Sequence, residues 1–163
     1  MTSYGIFSLQ LTYRGYPPSK RQWNGYIKHV FERVGLEWHQ QFYDHHFTHE
    51  GARDYGYIKR KGELQTDKKF GRSYTGRKKA KYGHTLPLRF SSLSYNLGKV
   101  AKVQATSKGG KVVLPQGYNR KHPKTQINMR DEVTRVLPRE MDHLRRIADL
   151  ALQQQIDSGR NNP

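Results

Sequence analysis

The sequence predicts an α+β protein: a small antiparallel sheet packed with a long N-terminal helix and a C-terminal helix, plus a long basic arm. Three observations lead to this prediction. Apolar residues recur at helical spacing after residue 19 and again after Pro138. Short runs before the first of these regions, and between the two, are alternating or rich in β-prone residues, as in strands. A chain of 163 residues fits a single domain, 1–163, with room for a core.

The first predicted element is a strand. Phe7, Leu9, Leu11 and Tyr13 alternate with polar residues, which is the period of a half-buried strand. Glycine and proline in 15–18 end the run. We therefore expect a strand over 7–13.

A long amphipathic helix is predicted next. Ser19 and Gln22 have capping-box spacing at its start. The apolar residues that follow step by three or four over about six turns. They are Trp23, Tyr26, Ile27, Val30, Phe31, Val34, Trp38 and Phe42. We expect a core that includes Trp23, Val30, Phe31, Trp38, Leu144 and Ile147.

Residues 50–84 are predicted to form an extended basic arm. Glycines punctuate this segment, and tyrosines are interspersed with basic residues without a stable period. A loop of this length in a small domain is usually functional or disordered. We expect the arm to be mobile until a neighbour orders it, because it has little apolar area to bury.

Short strands and a second helix are predicted in the C-terminal half. Leu86, Leu88 and Phe90 alternate like an edge strand, and the β-prone runs 100–106 and 111–114 flank a Gly-Gly turn at 107–110, which predicts a hairpin. Residues 132–136 suit a last strand or a short helix.

The final helix begins at Pro138, a residue favoured at the first helical position. Its apolar stripe consists of Met141, Leu144, Ile147, Ala148, Ala151 and Leu152. Ser158 and Gly159 are expected to end it.

Composition narrows the functional class. Apolar residues make up 34% of the chain, which is low for a compact globule, and 11 tyrosines exceed 6 phenylalanines, which favours surfaces covered by a partner. The absence of cysteine excludes disulfides and thiolate metal sites. No apolar run reaches the ~20 residues of a membrane span, and the N-terminus does not read as a signal peptide. We expect a soluble intracellular product without a membrane partner.

The charge is concentrated in one segment. Residues 68–130 contain 16 basic residues and no Asp or Glu, while the whole chain has a net charge of +17. Such a segment alone in water repels itself, which predicts an anionic partner, either nucleic acid or acidic protein surfaces. A solvated basic loop without a partner is the simpler alternative.

The candidate catalytic patterns are incomplete. The cluster His39, Asp44, His45, His46 and His49 contains possible zinc ligands but no HExxH pattern, so surface or interface histidines are the preferred interpretation. A nuclease site of Asp44, His45 and His46 with Asn119 and His122 would need a ββα scaffold that the pattern lacks. No phosphate-binding loop, nucleophile elbow or triad is visible. We expect no catalytic residues, no metal and no cofactor.

The sequence therefore predicts a binding protein, and not an enzyme. Interleaved aromatic and basic residues suit phosphate contact with stacking, and equally suit insertion into an acidic protein groove. The candidate partner-binding or DNA-binding residues are Lys68, Lys69, Arg72, Tyr74, Arg77, Lys78, Lys79, Lys81, Tyr82, Lys108, Lys111, Arg120 and Lys121.

The order of short segments over roughly 19–157 resembles a group of tailed-bacteriophage morphogenesis proteins, the head–tail joining, tail-completion or tail-terminator-like proteins of the neck. The segments are 46–48, 53–57, the basic run 77–79 leading into Lys81-Tyr82-Gly83-His84-Thr85-Leu86-Pro87-Leu88, the serine-rich 91–93, Leu114-Pro115, 129–133 and the helix after Pro138. In this chain 90–93 replaces the usual Ser/Thr-Gly turn of that group.

The resemblance implies a structural virion protein that assembles in the host cytoplasm. Several copies would form a ring that joins the head to the tail or terminates the tail tube. Adjacent connector, portal or tail proteins would be partners, and genomic DNA in the channel would be contacted without base reading. The competing interpretation is a basic nucleic-acid-binding module, such as a ribosomal-type protein.

Overall fold

The structure, a computed structural model, describes residues 18–60, 70–89, 92–119 and 127–160. Its helices are α1 (Lys20–Phe42), α2 (His49–Asp54), α3 (Tyr74–Tyr82), α4 (Leu93–Gly98), α5 (Met129–Val133) and α6 (Pro138–Arg160). Strands β1 (Val103–Thr106) and β2 (Gly109–Val112) form an antiparallel hairpin, and short 3-10 turns lie at Asp44–Phe47, Phe70–Arg72 and Gln116–Tyr118. The predicted α+β class is thus confirmed, and the strand predicted at 7–13 lies outside the described residues.

The chain divides into two compact units. The first contains α1 as far as residue 41, the segment 101–113 and α6 from residue 139. The second contains 42–100 and 114–138. The organisation of the chain as a single domain stays a prediction.

Helix α1 forms as the sequence predicts. The backbone N–H of Ser19 donates to Gln22 Oε1 at 2.8 Å, and the N–H of Gln22 donates to Ser19 Oγ at 3.3 Å, so the capping box is made. Val30, Val34 and Trp38 are buried. Trp23 and Phe31 are only half-buried, so the predicted core was too broad at these two positions.

The hairpin packs closely against α1 in the first unit. A Cβ added at Gly35 would lie 2.8 Å from Val103 Cγ1, and one added at Gly110 would lie 3.0 Å from Phe31 Cβ. Glycine at these positions lets helix and hairpin approach each other, which offsets the cost of Gly35 in a helix. Val103 pairs with Val112 and Thr106 with Gly109, so Ser107 and Lys108 form the turn and both glycines lie in β2, unlike the predicted Gly-Gly turn.

Helix α6 contributes buried apolar side chains to the first unit. Leu144, Ala148, Ala151 and Leu152 are buried, whereas Met141 and Ile147 are half-buried. The helix continues to Arg160, slightly beyond the predicted end at Ser158 and Gly159. The predicted helix and its stripe are therefore confirmed, apart from these details.

The second unit has an aromatic core. Tyr43 and Tyr95 each lie with their ring centroid 4.8 Å from that of Phe47, and the ring of Tyr118 is 5.7 Å from Phe47. Burial raises the pKa of both Tyr43 and Tyr118. The tyrosine content favoured surfaces covered by a partner, but several tyrosines instead form much of the interior of this unit.

A buried carboxylate connects distant segments of the second unit. Glu132, 1% exposed, accepts from the backbone N–H of Ile58 at 3.1 Å and from both terminal nitrogens of Arg60. Arg135 Nη1 donates to the carbonyls of Tyr55 and Gly56 at 2.6 and 2.7 Å. Helix α5 and the residues after it therefore hold the segment 55–60 in place.

Two predicted features of 50–90 are wrong where the structure describes them. Within 50–84, residues 50–54 belong to α2 and residues 74–82 form α3, so these residues are helical and not extended. No strand forms at 86–89, because Leu88 adopts a φ of 53°, which extended backbone does not have. The residue lies in a turn, and its side chain is buried. The strand or short helix predicted at 132–136 overlaps helix α5 (Met129–Val133) at Glu132 and Val133 alone, and residues 134–136 form neither.

Replacing Leu144 with Ala should lower the free energy of unfolding by about 2–5 kcal/mol, because the side chain is 2% exposed and its removal leaves a cavity. Leu150→Ala is the matched control on the same helix, since Leu150 is 60% exposed and its truncation should change stability by about 0.5 kcal/mol or less. Urea denaturation measures both. Equal effects would contradict the core assignment.

Replacing Glu132 with Gln should destabilise the protein by about 3–5 kcal/mol, because the Arg60 guanidinium would stay buried without its counter-charge. Asp142→Asn is the control, since its ion pair with Arg145 is exposed and such pairs contribute about 0–1 kcal/mol. A small effect of Glu132→Gln in thermal or urea unfolding would show that the pair is dispensable.

Candidate functional site

Helix α3 is a capped helix near the beginning of the acid-free segment 68–130. Ser73 Oγ accepts from the backbone N–H of Gly76 at 3.0 Å and donates to the carbonyl of Phe70 at 2.6 Å. Gly83 ends the helix with a φ of 73°, and its N–H donates to the carbonyl of Lys79 at 2.8 Å. Lys79 and Lys81 lie in the last turn, where the helix dipole favours positive charge.

Lys78 is not a surface cation. It is 3% exposed, and its Nζ donates to the carbonyl of Leu86. A buried ammonium needs such partners because desolvation of an unpaired charge is costly. Lys78 therefore anchors α3 to the chain that follows it, and the prediction that it contacts a partner is corrected.

The other cations of this region face solvent. Arg72, Arg77, Lys79 and Lys81 are exposed, and within the described residues none of them forms an ion pair with a carboxylate. Lys81 Nζ lies 5.4 Å from the ring centroid of the half-buried Tyr82. Tyr74, at the start of α3, is exposed. Arg77 and Lys81, four residues apart, lie on one side of α3, and Lys79 lies on the opposite side. Together with Arg72, which precedes the helix, they are the α3 cations.

The remaining predicted site residues lie elsewhere. Lys108 is exposed in the hairpin turn, and Lys111 is exposed on β2, both in the first unit. Lys68, Lys69, Arg120 and Lys121 lie outside the described residues. The structure thus groups Arg72, Tyr74, Arg77, Lys79, Lys81 and Tyr82 around one short helix, and it does not place the hairpin lysines in the same unit.

The histidines after α1 serve separate contacts. His45 Nε2 pairs with Asp54 Oδ2 at 2.9 Å, and His49 Nε2 lies 3.0 Å from Thr85 Oγ1. His39 is buried within α1, while His46 contributes to the aromatic core. Within the described ranges, no group of three His, Asp or Glu side chains is arranged to hold a metal ion. Asn119 is exposed, and His122 lies outside those ranges.

His46 is a buried neutral imidazole. Its ring stacks on Tyr55 with centroids 3.9 Å apart, and its Nδ1 is hydrogen-bonded to the Tyr57 hydroxyl. Burial, with a smaller contribution from the charge of His45, lowers the pKa of His46 to about 3. The histidine that the sequence placed in a candidate metal cluster is therefore part of the fold.

Sequence reasoning missed one cation with a defined position. Arg89 was counted among the basic residues but not as a site residue. Its guanidinium carbon lies 4.0 Å from the ring centroid of Tyr95, and its Nη2 donates to Ser92 Oγ at 3.2 Å. No motif connects Arg89, Ser92 and Tyr95, which meet only in the folded chain.

The comparisons with known proteins leave the family open. No family model matches the chain, no curated protein is detectably similar to it, and no solved structure matches its fold. Among the helices that the structure describes, none has the length and apolar character needed to cross a membrane.

Replacing His46 with Gln should reduce the loss of stability in acid. Because the folded pKa of about 3 lies below the unfolded value of about 6.5, the unfolded chain binds the proton more tightly. The contribution is present above pH 6.5 and falls as the pH drops, by about 2 kcal/mol between pH 7 and pH 5. Urea titrations at both pH values measure it.

His49→Gln is the control for this experiment, because His49 is exposed and its replacement should leave the pH dependence of the wild type in place. An equal pH dependence in wild type and His46→Gln would show that another group causes the acid sensitivity.

Proposed function

We propose that this chain is a structural virion protein of the neck of a tailed bacteriophage. In this proposal several copies form a homo-oligomeric ring that joins the head to the tail or terminates the tail tube. The protein would be incorporated into the virion after assembly in the host cytoplasm. The order of segments from 46–48 to the helix after Pro138 supports this proposal through its resemblance to that group.

The exposure of the α3 cations on a capped helix is the observation that carries the proposal. Arg77, Lys79 and Lys81 are exposed on a helix that Ser73 and Gly83 cap and that the buried Lys78 anchors. Cations held on a folded helix lose less entropy on binding than cations on a loop. This arrangement suits repeated, oriented contact with an anionic surface.

Two anionic partners suit this surface within a neck. Adjacent connector, portal or tail proteins with acidic faces would be oriented by it, since charge complementarity fixes register more than it adds affinity. Head-to-tail contacts between copies would close the ring. DNA in the channel would be contacted through its phosphates alone.

A basic nucleic-acid-binding module of ribosomal type is the second candidate. It is favoured by the aromatic residues at the two ends of α3, Tyr74 and Tyr82, since aromatic side chains interleaved with cations are typical of proteins that bind unpaired bases. Rings of the purified protein in electron micrographs, and portal, capsid and tail genes beside its own, would support the neck. Monomers and ribosomal neighbours would support the alternative.

Changing Arg77, Lys79 and Lys81 to Glu should abolish head–tail joining while leaving the fold intact, because exposed charge changes cost little stability. The expected phenotype is separate full heads and tails with a soluble variant protein, seen by electron microscopy and by circular dichroism. Lys78 is left unchanged, since its replacement would disturb the fold.

The matched control changes Lys20, Lys28 and Arg33 to Glu on α1, which alters the net charge equally at exposed positions in the other unit. Normal infectious particles from the α3 variant would refute a role of this surface in joining. Failure of both variants alike would indicate an effect of net charge, and not of α3.

Replacing the same three residues with Ala separates the two partners. If DNA is the partner, the affinity for random duplex should fall, and the salt slope should shrink by about one unit per lost phosphate contact. If acidic protein surfaces are the partner, duplex binding should hardly change, while co-sedimentation with the neighbouring ring is lost.

A further inference from the structure

A concave site lies within the second unit, and its lining includes none of the α3 cations. It has a volume of about 360 Å³ and is enclosed by Tyr74, the segments 88–89 and 92–95, residues 117–118 and Met129. This volume falls within the roughly 300–1,000 Å³ of ordinary ligand pockets. Aromatic and aliphatic side chains supply most of the lining that the structure describes, and Arg89 is the one cation in that part of the lining.

Arg89 is held in a defined position in this pocket. Its guanidinium lies over the Tyr95 ring at 4.0 Å, and Nη2 donates to Ser92 Oγ. Lys99 Nζ lies 5.0 Å from the same ring centroid. Within the described ranges neither cation pairs with a carboxylate. The Tyr95 hydroxyl donates to Asp44 Oδ1 at 3.0 Å.

The backbone beside Arg89 is strained. In the described chain, Leu88 with a φ of 53° and Ser92 with a φ of 61° are the two residues other than glycine with positive φ, and both line the pocket. Such conformations cost about 1–3 kcal/mol each and persist where the surroundings enforce them, often at binding sites. Here they direct the chain so that Arg89 meets Tyr95 and Ser92.

An apolar rim continues from the pocket along α4. Leu93, which lines the pocket, is 63% exposed, and Leu97, one helical turn further, is 62% exposed. Val100, just after the helix, is 68% exposed. Exposed apolar side chains next to one another and beside a pocket are typical of a protein-binding surface.

We propose that this pocket and the rim of Leu93 and Leu97 bind an acidic peptide segment of a protein partner, with one carboxylate on Arg89. An arginine matches a carboxylate through paired N–H donors, and the rim would cover apolar side chains next to that acid. A second copy of this chain is disfavoured as occupant by its net charge of +17. The inference rests on the proposed function only in that such a partner would be a neighbouring neck protein.

The test uses the full-length protein and an array of fluorescein-labelled dodecapeptides in which Glu alternates with Leu, Phe or Tyr. Matched peptides carry Gln in place of Glu, and a dodecamer of deoxythymidylate is the nucleic-acid probe. Fluorescence anisotropy should show Glu peptides that bind at least about tenfold more tightly than their Gln counterparts. Arg89→Gln should weaken this binding about tenfold or more.

Leu97→Asp tests the rim without touching the folded interior, because the side chain is exposed. It should also weaken the Glu peptides about tenfold, through lost apolar contact and added repulsion. Arg33→Gln is the control, since Arg33 is exposed on α1 in the other unit, and it should leave peptide binding unchanged. Circular dichroism verifies the fold of each variant, and if Arg89→Gln is unfolded, Leu97→Asp decides.

The peptide site and the neck function are tested by different measurements, so either can fail without the other. Absence of peptide binding, equal binding of Glu and Gln peptides, or wild-type affinity in Leu97→Asp would overturn the peptide site. If the deoxythymidylate dodecamer displaces bound peptide from the wild type but not from Arg89→Gln, the pocket binds nucleic acid. That result would also overturn the peptide site. The neck proposal is decided separately, by particle assembly with the α3 variants.

Discussion

The second unit depends on the buried carboxylate of Glu132. One carboxylate satisfies the N–H of Ile58 and both terminal nitrogens of Arg60, although Ile58 is 74 residues away in sequence. A buried charge without its partner is strongly destabilising, so these segments are stable only together. The segment 55–60 also contains Tyr55 and Tyr57, whose rings both contact the ring of His46.

This polar node suits a chain with little aliphatic material. Apolar residues make up 34% of the sequence, and the second unit builds its interior from tyrosine, histidine and phenylalanine rings. Such rings bury a large area while their polar atoms still need partners, which restricts the interior to few arrangements. Helices α3 and α4 belong to this unit and expose cations and leucines at its surface. Under the proposed function, the two helices present these cations and the apolar rim to protein neighbours.

The sequence predicted those elements whose own residues carry the signal. Helices α1 and α6 are each 23 residues long, and their apolar stripes repeat often enough to be unambiguous. Helices α2 and α3 have six and nine residues, too few for a helical period, and caps such as Thr48 and Ser73 matter more to them than apolar spacing. The alternation at Leu86 and Leu88 resembled a strand because two-residue spacing also occurs in a turn that buries one leucine.

The sequence by itself determined the α+β class, the two long helices and the concentration of cations in 68–130. Only the tertiary structure decided which of these cations are available. Lys78 is buried, while Arg77 and Lys79 on either side of it are exposed. Only the fold, likewise, brought Arg89 onto Tyr95 beside the exposed Leu93. The physical reason is that helical period and net charge are local properties, whereas burial and pairing depend on contacts between residues far apart in the chain.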